Sequence, residues 1–163
     1  MQILNIGCGS KADHYLRPEG ESLNTDILIT EFNRGLIDLQ CDGRKLPFND
    51  NVFNKTVCFH TLEHVETPLE ILREIQRVTS GEVIIRVPSL HGASHVEKED
   101  EGHIYTWTKS SFENFLHRVF DEVKVHRSSR IHTLVKVFPF MRKTIEYLFS
   151  YFIKDELTAW CKC

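Results

Sequence analysis

The apolar positions of this chain fall into short runs separated by polar turns, as is typical of an α/β protein. The first run, Ile3–Ile6, is followed directly by Gly7 and Gly9. Four mostly apolar residues indicate a buried strand, and a glycine pair lets the backbone turn with positive φ and lets a ligand approach its amide groups. We therefore predict that a strand leads into a ligand-binding loop near the start of the chain.

Later apolar runs predict strands that alternate with helices. Residues 68–78 carry apolar side chains at helical spacing, begin at Pro68 and end before Gly81, which we interpret as the helix stop. Because strand–helix–strand crossovers are right-handed and parallel by strong preference, the two flanking strands should be neighbours in one sheet. The predicted strands are 23–28, 36–40, 54–60, 82–88, 123–125 and 156–161.

Two further segments carry distinct patterns. Residues 89–106 are polar, as expected of a functional or disordered loop. For the helix that follows, Thr108 and Ser110 are candidate N-caps, and Ser110 with Glu113 matches a capping box. Residues 134–153 are the most aromatic stretch, but a proline and several charged side chains interrupt it. They predict a helix packed over the sheet, with a substrate-pocket wall, a peripheral membrane helix or a dimer face as alternatives.

Composition indicates one globular domain over residues 1–163, with a helical, aromatic-rich insertion at 131–155. The chain is 41% hydrophobic with a net charge of −3 and has no basic block, which excludes nucleic acid as the expected partner and favours a small molecule. No secretory leader precedes the first strand and the five cysteines are an odd set, so we expect a cytoplasmic protein with reduced thiols. Cys161 and Cys163 lack a second pair at ligand spacing, so we predict no metal site.

The glycine loop alone is compatible with more than one function. As Gly7-x-Gly9-x-x-Ala12 it matches the dinucleotide fingerprint, which requires a helix to open at the loop. Residues 10–22 contain a proline, a glycine and few apolar positions, so this helix is not predicted and the dinucleotide interpretation is weakened. A strand-ending turn without any ligand is the remaining alternative.

Two acidic residues lie where predicted strands end. Asp26 is 17 residues beyond Gly9, a spacing at which a carboxylate accepts hydrogen bonds from ribose hydroxyls in nucleotide-binding folds, although a lone Asp can equally cap a turn. Asp42 precedes Gly43 and could accept a hydrogen bond from an exocyclic amine such as that of adenine. Because the carboxyl ends of parallel strands meet at one edge, we expect both carboxylates near the glycine loop.

These features are joined by Leu-Glu-His-Val at 62–65, Leu-Arg-Glu-Ile at 72–75 and Val-Pro at 87–88. In this order, over almost the whole chain, they resemble the class I S-adenosylmethionine-dependent methyltransferases, and more narrowly the small-molecule group called methyltransferase type 11. The resemblance implies a Rossmann-like, doubly wound seven-stranded α/β sheet in the order 3-2-1-4-5-7-6 with an antiparallel last strand. This chain departs from the family pattern in its first crossover helix, which we expect to be reduced or absent.

The resemblance also implies a cofactor, S-adenosyl-L-methionine, with S-adenosyl-L-homocysteine as product. The glycine loop would lie beside the methionine moiety, Asp26 on the ribose and Asp42 near the adenine amine. Lys11 stands where the family has a third glycine and offers a counter-charge to the methionine carboxylate. The predicted cofactor-binding residues are Asn5, Gly7, Cys8, Gly9, Lys11, Asp26, Ile27, Asp42, Gly43, His60 and Leu62.

Histidine suits the removal of a proton from an oxygen or nitrogen nucleophile, because its unperturbed pKa is about 6.5. His64, His95 and His103 lie in loops predicted at the carboxyl edge and are our candidate bases, although each could equally be structural. We predict an enzyme, monomeric or homodimeric, that methylates a small-molecule or lipid-like acceptor. A non-catalytic cofactor-binding domain or partner subunit is the alternative, and a dinucleotide-dependent oxidoreductase is less favoured.

Overall fold

The computed structural model describes residues 2–9, 18, 20–31, 33–90, 103–129 and 155–163. Its strands are β1 Ile3–Ile6, β2 Ser22–Asp26, β3 Leu39–Gln40, β4 Phe53–Phe59, β5 Thr79–Pro88, β6 Glu122–Ser129 and β7 Asp155–Lys162. The helices of this part of the chain are α1 Pro68–Val78, α2 Lys109–Leu116 and a short 3-10 helix, Leu62–His64. The sheet order is β3-β2-β1-β4-β5-β7-β6, which confirms the predicted topology.

Strand β1 lies in the middle of the parallel part of the sheet. It pairs in parallel with β2 and β4, while β7 runs antiparallel between β5 and β6. All four residues of β1 are buried, including Asn5, whose side-chain amide donates to Oδ1 of Asn24 at 3.0 Å. Burial on both faces is typical of a parallel sheet and explains why the strand is a nearly continuous apolar run.

Helix α1 covers the sheet with the apolar stripe that its sequence predicts. Pro68 occupies the first turn, where the missing N–H has no helical partner to lose. Helix α2 adds Phe112 and Leu116 to the same core. The α1 side chains buried against the sheet are Ile71, Leu72, Ile75 and Val78.

The predicted helix stop at Gly81 is wrong. Helix α1 already ends at Val78, and Gly81 lies inside β5. A Cβ at this position would collide with the main-chain oxygen of Asn54 at the neighbouring strand. The glycine therefore permits close approach of two strands, a role that a helix-stop interpretation overlooks.

Of the two predicted N-caps of the second helix, Thr108 is confirmed, whereas the capping box predicted from Ser110 and Glu113 is wrong. Thr108 is the N-cap of α2: its hydroxyl accepts from Ser111 N at 3.2 Å, and the Ser111 hydroxyl accepts from Thr108 N at 2.9 Å. The box therefore starts two residues earlier than the pair Ser110 and Glu113 suggests. Because several hydroxyl residues lie near this helix start, the sequence left two N-cap candidates, and the structure selects the first of them.

The lengths of some strands also differ from expectation. Strand β3 has two residues, whereas β5 begins at Thr79 and β6 has eight residues. The following predicted segments lie outside the described residues: the helix at 134–153, the insertion at 131–155 except its last residue, most of the loop at 89–106, and the first crossover at 10–17. The last residue of the predicted insertion, Asp155, is the first residue of β7. Within the described ranges, no helix is long and apolar enough to cross a membrane.

Helix α1 also holds the loop that follows β3. Glu74 accepts hydrogen bonds from Leu46 N at 2.8 Å and from Arg77 Nε at 2.7 Å. Arg77 in turn donates to the main-chain oxygens of Phe48 and Leu46 and to Asp50, at 2.7, 3.0 and 2.8 Å. The hydrogen bond from Arg77 lowers the pKa of Glu74. One charged pair therefore fixes the loop whose first residues reach the carboxyl edge of the sheet.

We expect Glu74→Gln to lower the free energy of unfolding by about 1–3 kcal/mol, because Arg77 loses a charged acceptor. Glu21→Gln, the same change at an exposed site, should cost less than about 0.5 kcal/mol. Since the folded state lowers the pKa of Glu74, its contribution is present above the ordinary value of 4.5 and is lost as pH falls below it. Urea unfolding at neutral and acidic pH measures this, and equal losses in both variants would contradict it.

Candidate functional site

The carboxyl ends of the parallel strands frame a groove of about 250 Å³. Gly7 follows β1, Asp26 ends β2, Asp42 lies beyond β3 and Thr61 lies beyond β4, and all four line the groove. An apolar groove with a few convergent polar groups is the usual form of a small-molecule site. Its apolar lining consists of Ile6, Ile27, Val65 and Ile71.

The glycine loop lies tightly against the end of β4. Gly7 and Gly9 have φ angles of 70° and 65°, in the left-handed region that favours glycine. Gly7 N donates to the main-chain oxygen of Thr25 at 2.9 Å, which ties the loop to β2. A Cβ on Gly7 would collide with the side chain of Thr61. The loop can therefore adopt this position only because residue 7 has no side chain.

Asp26 organises the same edge. Its Oδ2 accepts from Gly9 N at 3.1 Å, and its Oδ1 accepts from Leu28 N at 3.2 Å. Each carboxylate oxygen can accept more than one hydrogen bond, so both retain capacity for donors of a ligand. Asp26 is thus placed to bind a ligand and to fix the glycine loop at the same time.

Asp42 is paired with Arg44, a residue that the sequence analysis did not single out. Arg44 NH2 lies 2.6 Å from Oδ2 of Asp42, and Arg44 N donates to Oδ1 at 2.9 Å. The side-chain hydrogen bond from Arg44 lowers the pKa of Asp42, so this carboxylate is an ionised acceptor. The close spacing of an acidic and a basic residue in a turn was the available signal.

Apart from His60 and His103, which are described below, the remaining predicted cofactor-binding residues and candidate bases fall into three groups. Those that also line the groove are Ile27, Gly43 and His64. Those whose side chains are buried behind it are Asn5, Cys8 and Leu62. Those that lie outside the described residues are Lys11 and His95.

His60 lies between two carboxylates. Its Nδ1 is 3.3 Å from Oε1 of Glu63, and its Nε2 is 3.3 Å from Oε1 of Glu156. Burial by itself would lower the pKa of His60, but hydrogen bonding to Glu156 and Glu63 outweighs it and raises the pKa to about 9. At neutral pH the ring is therefore an imidazolium with both nitrogens committed, which makes it unsuitable as a general base.

Two of the predicted bases come together at the end of the groove. The His64 and His103 rings have centroids 4.6 Å apart. Ile104 N and Tyr105 N both donate to the main-chain oxygen of Glu63, at 2.7 and 3.2 Å. These bonds hold the segment that begins at His103 alongside the 3-10 helix. Main-chain pairing thus creates a histidine cluster from residues that are distant in sequence.

The groove belongs to a region with a recognised sequence pattern. A family model described as methyltransferase domain matches residues 4–85, half of the chain, from β1 into β5. The chain belongs to the methyltransferase domain family. The matched region contains the glycine loop, Asp26, Asp42 and the 3-10 helix that follows β4.

Relatives of this methyltransferase domain are distant. The uncharacterized protein MJ0638 of Methanocaldococcus jannaschii is 32% identical over 90 residues, which cover 52% of this chain but 40% of that protein. An S-adenosylmethionine-dependent methyltransferase of Archaeoglobus fulgidus aligns with a TM-score of 0.65 at 22% identity, covering 99% of this chain and 86% of that one. A Haloferax volcanii protein solved in complex with a methyltransferase activator aligns with a TM-score of 0.66 at 18% identity. The alignment covers 98% of this chain and 81% of that one. At these identities the structural likeness shows the fold alone.

Membership of the methyltransferase domain family implies S-adenosylmethionine as the cofactor. The donor and acceptor chemistry of the groove fits its adenosyl part. The carboxylates of Asp26 and Asp42 match ligand groups that donate hydrogen bonds, and the apolar walls match a flat base. The glycine loop keeps side chains away from the space beside them.

We expect Gly7→Ala to destabilise the fold more than Gly35→Ala. Both glycines have positive φ, of 70° and 91°, but a Cβ at Gly35 meets nothing within 4 Å. Gly35→Ala should therefore cost about 1–2 kcal/mol for the backbone conformation alone. Gly7→Ala should cost roughly 1–3 kcal/mol more because it collides with Thr61. Urea unfolding compares the two, and equal losses would show that the loop has room for a side chain.

Proposed function

We propose that this domain binds S-adenosylmethionine in the groove and transfers its methyl group to a small-molecule or lipid-like acceptor. The convergence of the glycine loop with Asp26 and Asp42 at one edge of the sheet carries the proposal. Family membership supports the class of reaction. The sulfonium of the bound cofactor supplies a methyl group that is already activated for transfer.

Each wall of the groove has a distinct role in this proposal. Asp26 accepts hydrogen bonds from the ribose hydroxyls with the lone pairs that Gly9 N and Leu28 N leave available. Asp42, oriented by Arg44, accepts from the adenine amine. The backbone of the glycine loop lies beside the methionine moiety, and Lys11 is proposed as the counter-charge of its carboxylate.

The main work of the protein residues is then to position the acceptor and exclude water. Alignment of a nucleophile with the methyl group can contribute up to about 7–11 kcal/mol in ideal cases. The apolar side chains that line the groove keep water away from the reacting atoms. We therefore expect much of the rate enhancement to come from how the groove positions the acceptor, without a covalent intermediate on the protein.

Proton removal from the acceptor falls to the histidine cluster. His64 lines the groove and is exposed, and His103 lies against it. His60 is not proposed for this role because it is already protonated and held by Glu63 and Glu156. We therefore propose His64, with His103 beside it, as the groups that promote loss of the acceptor proton.

A non-catalytic or partner-dependent role is the second candidate. The Haloferax volcanii protein of the same fold was solved with a methyltransferase activator, which favours a chain that needs a partner for turnover. The replacement of the family's third glycine by Lys11 points the same way. A dinucleotide-dependent oxidoreductase is disfavoured, because the family match assigns the glycine loop to methyltransferases.

Calorimetry with S-adenosylmethionine, S-adenosylhomocysteine and NAD separates these functions. We expect both sulfur compounds to bind and NAD not to bind. Transfer of a labelled methyl group to members of an acceptor panel would then establish catalysis, whereas binding without turnover across the panel would favour the partner-dependent role. If the folded protein bound neither S-adenosylmethionine nor S-adenosylhomocysteine, the methyltransferase and the partner-dependent role would both be overturned.

We expect Asp26→Ala to weaken S-adenosylhomocysteine binding by about 10- to 150-fold, the effect of losing a charged hydrogen bond of about 1.5–3 kcal/mol. Asp38→Ala is the matched control. Asp38 also accepts a hydrogen bond from the main chain of β2, from Asn24 N at 2.8 Å, but it does not line the groove. Its affinity should equal that of the wild type. Calorimetry measures both, and unchanged affinity of Asp26→Ala would mean that the ribose binds elsewhere.

A further inference from the structure

We propose that Glu63, His64 and His103 form a binding site for a single Zn²⁺-class ion at the end of the groove. One oxygen of Glu63 and one ring nitrogen of each histidine all lie within 4.8 Å of one another. No metal site was predicted from the sequence, because two ligands are adjacent in the chain and the third comes from a separate segment. Only the fold brings the three side chains together.

The buried carboxylate of Glu63 is the first reason for this proposal. The side chain is fully buried, and its Oε2 accepts no hydrogen bond from the described residues. Oε1 lies 3.3 Å from Nδ1 of His60. His60 compensates the Oε1 side of this buried carboxylate, and a divalent ion bound on its other side would compensate Oε2.

The second reason is that the main chain holds the ligands in place. Ile104 N and Tyr105 N donate to the main-chain oxygen of Glu63, and the Tyr105 hydroxyl donates to the main-chain oxygen of Glu66 at 2.9 Å. The segment carrying His103 is therefore anchored at three points to the turn that carries Glu63 and His64. A site built on fixed backbone loses little conformational entropy when an ion binds.

The third reason is the donor set and its geometry. Two imidazole nitrogens and one carboxylate oxygen are the ligand set of many zinc sites that keep an open coordination position. Bonds of about 2.0–2.1 Å in a tetrahedron place ligand atoms roughly 3.3 Å apart, so the present cluster must contract slightly. His64 is exposed and His103 is partly exposed.

His60 would support the ion without binding it. It holds one oxygen of Glu63 from the side and is itself held by Glu156. Groups that fix the orientation of a metal ligand in this way typically change metal affinity by 10- to 100-fold. The contacts from Glu156 through His60 to Glu63 thus link β7 to the proposed ion site.

An ion here would lie beside the proposed methyl acceptor, because His64 also lines the groove. This role rests on the proposed function: the open position would hold an acceptor oxygen and favour the loss of its proton to solvent. With the ion bound, His64 and His103 would promote loss of the acceptor proton as ligands of the ion. Without the ion, His64 is the base of the proposed function. The binding of the ion itself needs neither cofactor nor acceptor.

The test is a Zn²⁺ titration of the protein after removal of metal with a chelator, in the absence of S-adenosylmethionine. We expect one Zn²⁺ to bind in competition with a chelating dye, and Mg²⁺ in excess not to displace it. His64→Ala and His103→Ala should each weaken Zn²⁺ by at least about 10-fold. His126→Ala, an exposed histidine on β6 whose ring packs against Trp160, is the control and should bind as the wild type does.

Absorption spectra of the Co²⁺-substituted protein test whether the five cysteines bind the ion instead. We expect no thiolate charge-transfer band, because the proposed ligands are nitrogen and oxygen atoms. Wild-type affinity in His64→Ala or His103→Ala, or a thiolate band, would overturn the proposal. Calorimetry with S-adenosylhomocysteine on the same metal-free protein reports cofactor binding separately. Loss of ion binding with intact cofactor binding would therefore count against the metal site alone.

Discussion

The parallel pairing of β1 with β2 and β4 is the constraint on which the rest of the structure depends. The register places Ile6 level with Thr25 on one side and with Cys58 on the other. The residues that follow these three positions must therefore leave the sheet at one edge. The main chain thus assembles the groove before any side chain contributes.

Charge is arranged differently at the two ends of this groove. Near β2 and β3 the carboxylates of Asp26 and Asp42 are within reach of solvent and are held by main-chain N–H groups and by Arg44. Near β5 and β7 the carboxylate of Glu63 is fully buried. Buried charge is costly unless it is paired, so the second end is the chemically demanding one. One end suits hydrogen-bond donors of a cofactor, and the other suits a cation or a proton transfer.

The sheet and much of its edge could be predicted because their signals are local. Burial on both faces makes β1 an apolar run, helical spacing identifies α1, and a glycine pair after a strand indicates a loop that must turn sharply. Gly81 was misinterpreted because a glycine at a strand contact and a glycine at a helix end look alike in sequence. Arg44 was missed because its role depends on where the turn points its side chain.

The sequence by itself determined the fold class, the strand order through the family resemblance, and the candidate positions of the glycine loop, Asp26 and Asp42. Only the tertiary structure decided that His60 lies between Glu63 and Glu156 and that His103 lies against His64. The physical reason is the range of the interactions. Periodicity and turn chemistry act between neighbours in the chain, whereas these contacts join elements that meet only when the sheet is complete.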